Sequence, residues 1–171
     1  MAGHGLQKLR GSFGGGGLAR TEEMMRGIGM HPPALQARLV ALTETCGGAL
    51  TALGLFSPLG PAMICGTMAT AIRKVHLKNG LWNSKRGYEY NLTLLAASIA
   101  LAADGPGALS LDRLRGHERS GLVWGLAALG LGIGAAAAND ALSERLRPAE
   151  PSSPAEEPAP DAADATTPAT D

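Results

Sequence analysis

Glu44 has the clearest capacity for chemistry in this sequence. It is the lone carboxylate in the apolar run Leu35–Phe56, whose other charged or amide side chains, Gln36 and Arg38, sit near its start. A charged group at the centre of a bilayer costs at least about 2.5 kcal/mol. Glu44 must therefore be protonated, paired with a cation or wetted by a cavity. Each of these suits proton exchange or ligand binding; a helix-to-helix hydrogen bond is the purely structural alternative. Further ionisable groups lie in RKVHLKNGLWNSKRGYEYN, residues 73–91. On helices Arg73 and His76 share one face, as do Glu89 and Thr93. Cations mixed with aromatic rings mark a membrane–water interface. The stretch reads as the wet cap of a helical hairpin returning ionisable groups toward a buried site, or as an ordinary anchoring loop. In MAGHGLQKL, His4 and Lys8 share a helical face beside Gln7.

Other chemistries fit poorly. His4, Glu44, His76 and Glu89 lack HxxH, HExxH or CxxC spacing, so no metal site is assigned. Gly11–Gly17 lacks the GK[ST] ending and the preceding strand of a phosphate loop. Cys46 and Cys65 lie at similar depth in apolar runs and are read as inert core residues, with a redox pair as the alternative. The formal net charge is zero, which gives no sign of nucleic-acid binding.

The elements that must position these groups are membrane helices. Mean hydropathy is only +0.05, because a polar tail dilutes several apolar blocks. Aromatics make up 4% of the 171 residues while Gly alone counts 24, a composition suited to closely packed membrane helices. Full spans are expected over Leu35–Phe56, Leu59–Leu77, Tyr88–Ala103 and Ser120–Ala138, with charges other than Glu44 gathered toward the ends. Residues 1–9 read as the end of a helix, and Thr21–Gly27 as a short helix capped by Thr21. Ser57–Pro61 is a tight turn and Asp104–Arg119 a polar connector. Residues 147–171 lack the apolar surface to fold and read as a disordered tail. No cleavable signal peptide is visible.

Small residues predict which faces turn inward. The expected seams are Ala37, Ala41, Glu44, Gly48 and Thr51; Ala62, Gly66, Ala69, Arg73 and His76; and Glu89, Thr93, Ala96, Ala100 and Ala103. Helix direction places His4, Lys8, His76 and Glu89 near one membrane face, side A. At about 1.5 Å of rise per residue, Glu44 lies ~13 Å in, near the midplane of a ~30 Å core. Side A carries most of the Lys and Arg, so it and the tail are expected to be cytoplasmic, leaving Arg113, Arg115 and Arg119 outside.

The pieces HGLQKL, ETCGGALTALGLF, AIRKVHLKNGLWNSKRGYEYNLTLL and DGPGALSLD resemble the DoxX family of small bacterial membrane proteins, over about residues 3–112. His4, Gln7, Lys8, Glu44, His76, Gly80, Gly87, Tyr88 and Glu89 match the family's recurrent polar positions. The resemblance implies an all-α polytopic membrane helix bundle in the bacterial plasma membrane, here with four full spans and a truncated first helix. Residues 1–112 form the DoxX-like bundle and 113–146 a connector with an additional Gly/Ala-rich helix. Because most of the family's first helix is missing before His4, the natural chain is expected to begin upstream of Met1. The resemblance points to a redox- or quinone-associated membrane subunit, linked to oxidative-stress defence, with membrane or thiol-redox protein partners. In that reading a ligand pocket comprises His4, Gln7, Lys8, Glu44, Arg73, His76, Tyr88 and Glu89. Glu44 exchanges protons, Lys8 or Arg73 offsets its charge, and His76 and Glu89 connect it to side A. A small transporter or channel, or a structural partner subunit of a membrane oxidoreductase, would use the same features.

Overall fold

Apolar runs bounded by Gly and Pro become helices throughout the computed structural model, which describes residues 1–149. Helix α1 spans Ala2–Arg10 and ends at Gly11, which adopts the left-handed conformation (φ 73°) that only glycine takes without strain. α2 spans Gly17–Gly27, α3 Pro33–Leu53 and α4 Leu59–Ala71. α4 continues through a π-helical turn, Ile72–His76, and a 3-10 turn, Leu77–Asn79. After a loop come α5 (Glu89–Asp104), the short α6 (Leu111–Leu114) and α7 (Leu122–Arg145). The part of the expected 147–171 tail beyond residue 149 lies outside the described residues.

The arrangement of side-chain sizes identifies the solvent. Buried apolar positions are dominated by small residues: Ala37, Ala41, Ala62, Cys65, Ala102 and Ala128. Apart from Met25, Met30, Ile64 and Met68, large apolar side chains point mostly outward, including Leu35, Leu39, Leu42, Leu101, Leu126, Leu131 and Ile133. A soluble domain would bury its leucines and cover them with charge. This inverted pattern belongs to a helix bundle in lipid, where the leucines gain nothing by leaving the hydrocarbon and helices associate by close packing. α7 is by itself long and apolar enough to cross a membrane. Trp82 and Tyr90 are exposed at one end of the bundle, and Phe56 at the other with the half-buried Trp124, as interfacial rings should be.

Glycine sets the helix spacing. α4 and α7 run parallel and touch at Gly66 and Gly132: a Cβ on Gly66 would lie 2.8 Å from the Gly132 carbonyl oxygen. A Cβ on Gly132 would lie 2.8 Å from the Cys65 Cβ. The antiparallel α3–α4 contact uses Gly47 against Met63 and Gly60 against Thr51. The antiparallel α5–α7 contact uses Gly125 against Ile99 and Ala103. α4 therefore sits at the centre, packed on α3, α5 and α7. The added Gly/Ala-rich helix is an integral wall of the bundle.

Three local expectations are corrected. α2 begins before Thr21, which lies buried inside it and donates from its hydroxyl to the Gly17 carbonyl at 2.8 Å instead of capping. On α5 the inward face is Asn91, Ser98 and Ala102, while Glu89, Thr93, Ala96 and Ala100 are exposed. Small residues surround most of this helix, so size alone did not mark a face. The polar pair decided it, with Asn91 Nδ2 reaching Met68 Sδ at 3.5 Å and Ser98 bonding back to the Leu94 carbonyl. Cys46 is exposed and Cys65 fully buried, and both are free, so they form no pair.

The polar connector folds back as a cap over the α3–α4 turn. Asp112 is 2% exposed and accepts from both the Phe56 and Ser57 amides, at 3.0 and 2.7 Å. Its own amide donates to Gly54 O at 3.0 Å. Arg119 donates to Ser57 O at 2.9 Å, and the Arg115 guanidinium lies 4.8 Å from the Phe56 ring centre. Removing the carboxylate orphans two amides that had charged acceptors. Asp112→Ala should therefore lower stability by about 2–4 kcal/mol, and Asp112→Asn, which retains one acceptor oxygen, by less. Thermal unfolding of the detergent-purified variants measures the difference.

Candidate functional site

Close approach of α1 to α3 builds the site. A Cβ on Gly5 would collide with the Thr45 backbone, and one on Gly48 with Ala2, so the two antiparallel helices touch through glycine. That proximity lets Lys8, near the end of α1, reach the middle of α3. Its ammonium donates to Glu44 Oε2 at 2.6 Å. The Glu44 side chain is 5% exposed and that of Lys8 25%. The carboxylate is thus buried, while its counter-charge retains a path outward. A buried ion pair of this geometry is held together by mutual attraction against the desolvation of both ions.

Lys8 opens onto a cleft of about 870 Å³ between α1, the glycine turn and α2. His4, Gln7, Arg20, Glu23 and Met24 also line it, and Gly14–Gly16 close one side. Gln7 is fixed at both ends of its amide: Oε1 meets His4 Nδ1 at 3.1 Å, and Nε2 donates to Phe13 O at 3.3 Å. The formal charges balance, with Lys8 and Arg20 against Glu44 and Glu23.

The structure therefore brings together His4, Gln7, Lys8 and Glu44, and places the other four expected pocket residues elsewhere. Arg73 does not offset Glu44. It pairs with Asp140 on α7, with Lys74 Nζ 3.7 Å from the same carboxylate. His76 Nδ1 and Asn79 Nδ2 both meet the Arg86 carbonyl, at 2.8 and 3.0 Å. Glu89 Oε2 accepts from the Asn83 amide at 3.0 Å. Half-buried Tyr88 sits at the loop's end, its amide donating to Gly80 O at 3.1 Å. His76 and Glu89 thus close the loop between α4 and α5, and neither extends a relay from Glu44. The reason is local: a loop with this many unpaired amides and carbonyls consumes the polar side chains beside it. Among the described residues no three His, Cys, Asp or Glu side chains converge on a metal position.

Sequence reasoning missed a second polar junction. Gln36 and Asn139 exchange amide hydrogen bonds at 3.2 and 2.9 Å, and Ser143 Oγ accepts from the His31 amide at 2.7 Å. Asn139, Asp140 and Ser143 lie beyond the apolar run that ends at Ala138, yet α7 continues through them. Their signal was phase, since Gly125, Ala128, Gly132, Asn139 and Ser143 follow one helical stripe.

The DoxX family model matches residues 1–77. The chain is also similar to the inner membrane protein YphA of Escherichia coli (strain K12), with 30% identity over 114 residues, 64% of this chain and 77% of that protein. No solved structure matches. His4, Gln7, Lys8 and Glu44 fall within the matched region, whereas Asp112 and Asp140 lie beyond it.

Lys8→Met leaves Glu44 buried without its partner and should cost about 3 kcal/mol or more. Lys8→Met with Glu44→Gln removes both charges and should recover most of that loss. A double-mutant cycle of thermal stability in detergent checks the sign and size of the coupling.

Proposed function

The chain belongs to the DoxX family of membrane proteins, and from that premise we propose that it is a redox-associated membrane subunit whose working centre is the Lys8–Glu44 pair. The observation that carries this reading is a buried carboxylate neutralised by one lysine, itself open to a polar cleft. Groups arranged in this way bind and exchange protons. With Lys8 neutralised by the buried Glu44 behind it, and Arg20 matched by Glu23, the cleft favours a neutral head, and a quinone fits that description: its carbonyl oxygens accept hydrogen bonds and take up protons when the ring is reduced. Reduction to the quinol consumes two electrons and two protons. The electrons come from a partner oxidoreductase; the Lys8–Glu44 pair supplies one proton, to the carbonyl oxygen nearest the cleft wall, and solvent in the open cleft supplies the second to the other oxygen and reprotonates the pair. Gln7, anchored to His4 and Phe13, fixes the shape of that wall. Protection against oxidant or quinone stress follows if the quinone pool is kept reduced.

Glu44→Gln preserves size and hydrogen bonding but cannot ionise. It should abolish protection of a deletion strain against quinone stress while membrane abundance stays normal. Full protection by this variant at normal abundance would overturn the role of the carboxylate.

The same proposal sets the orientation. The end of the bundle that holds Lys8, Arg38, Arg73, Lys74, Lys78 and Arg145 carries most of the basic residues and faces the cytoplasm. A topology reporter fused after Asp171 should read as cytoplasmic, and an external signal would reverse the assignment.

A further inference from the structure

α4 does not end as a regular helix. Between Ile72 and His76 it widens, and the Leu77 amide bonds the Ile72 carbonyl five residues back. Such π-turns are rare and occur frequently at functional sites. Asp140 of α7 lies against this one. On a regular helix adjacent side chains diverge by about 100°. In this turn Arg73 and Lys74, although adjacent, both address one carboxylate, Arg73 at Oδ2 and Lys74 at Oδ1. Asp140 is buried, and its Oδ1 has no hydrogen-bond partner among the described residues. The Lys74 ammonium at 3.7 Å holds it by charge alone, beyond hydrogen-bond range.

Among the described residues no other ion pair or hydrogen bond joins α7 to α4 at this end. Farther along, the contact is Gly66 on Gly132 and Ala62 beside Ala128, a smooth surface without interlocking side chains. The neighbouring Asn139 and Ser143 bonds tie α7 to Gln36 on α3 and to His31 before it, not to α4. Past the turn, His76 and Asn79 grip the Arg86 carbonyl, so the loop before α5 follows the orientation of residues 72–79.

We propose that Arg73, Asp140 and Lys74 form a charge latch that holds the π-turn and, through it, the α4–α5 loop. With the latch closed, one carboxylate draws two successive cations to the same side and the turn stays wide. With it open, residues 72–76 return to α-helical bonding, which rotates His76 and shifts the loop. The device is separate from the Lys8–Glu44 centre and does not depend on the redox reading.

Hydrogen exchange on the full chain in lipid nanodiscs tests it. Asp140→Asn keeps the shape of the side chain and removes its charge. Amides of residues 72–88 should exchange about tenfold faster, while those of α1 and α3 keep their rates. Arg73→Gln with Lys74→Gln, which leaves α7 intact, should reproduce the pattern and guards against misfolding of the Asn variant. Arg73→Glu with Asp140→Arg should restore part of the protection. Unchanged exchange at 72–88 in both neutralised proteins would overturn the latch, as would a uniform acceleration through α4 and α7, which would indicate lost packing instead.

Discussion

A charge cannot be left alone in a low-dielectric interior, and this constraint organises the bundle. Glu44, Asp112 and Asp140 are all buried, and each is tolerated because a different element answers it. α1 supplies an ammonium to Glu44. The α3–α4 turn supplies two amides to Asp112. The wide turn of α4 supplies two cations to Asp140. Each carboxylate thereby joins segments distant in sequence. In lipid such bonds matter for uniqueness, because greasy contact between helices is matched by greasy contact with acyl chains.

Polar bonds of this kind require short reach, and glycine provides it. Lys8 meets Glu44 because Gly5 and Gly48 let α1 lie against α3. Arg73 meets Asp140 because Gly66 and Gly132 bring α4 and α7 together. The abundance of glycine and the scarcity of aromatic residues are two views of one design, in which backbones approach and the bulky side chains face lipid.

Helix positions were largely legible because hydropathy marks hydrocarbon-embedded segments irrespective of their neighbours. The inward face of α3 was legible as well, since its single carboxylate, Glu44, stands at helical spacing with Ala37 and Ala41 and marks that face. α5 was not, because Ala and Ser occupy several of its faces and only tertiary partners for Asn91 and Ser98 distinguish them. The pairing of Lys8 with Glu44 could be foreseen as one of two options. The fates of His76 and Glu89 could not, because they depend on backbone groups of a loop whose conformation no short-range pattern specifies. Asp140 escaped because hydropathy ends the last span before it, although helical phase carries on.

The choice between those two options has a consequence for the ligand. Had Arg73 turned toward Glu44 together with Lys8, the pair would carry a net positive charge, and the adjoining cleft would favour anionic heads. Arg73 pairs with Asp140 instead, so Lys8 alone faces Glu44 and the pair is neutral. Arg20 and Glu23 then cancel across the cleft. This balance is the ground for proposing a neutral head that accepts hydrogen bonds. A phosphate or carboxylate would find no uncompensated charge to repay its desolvation.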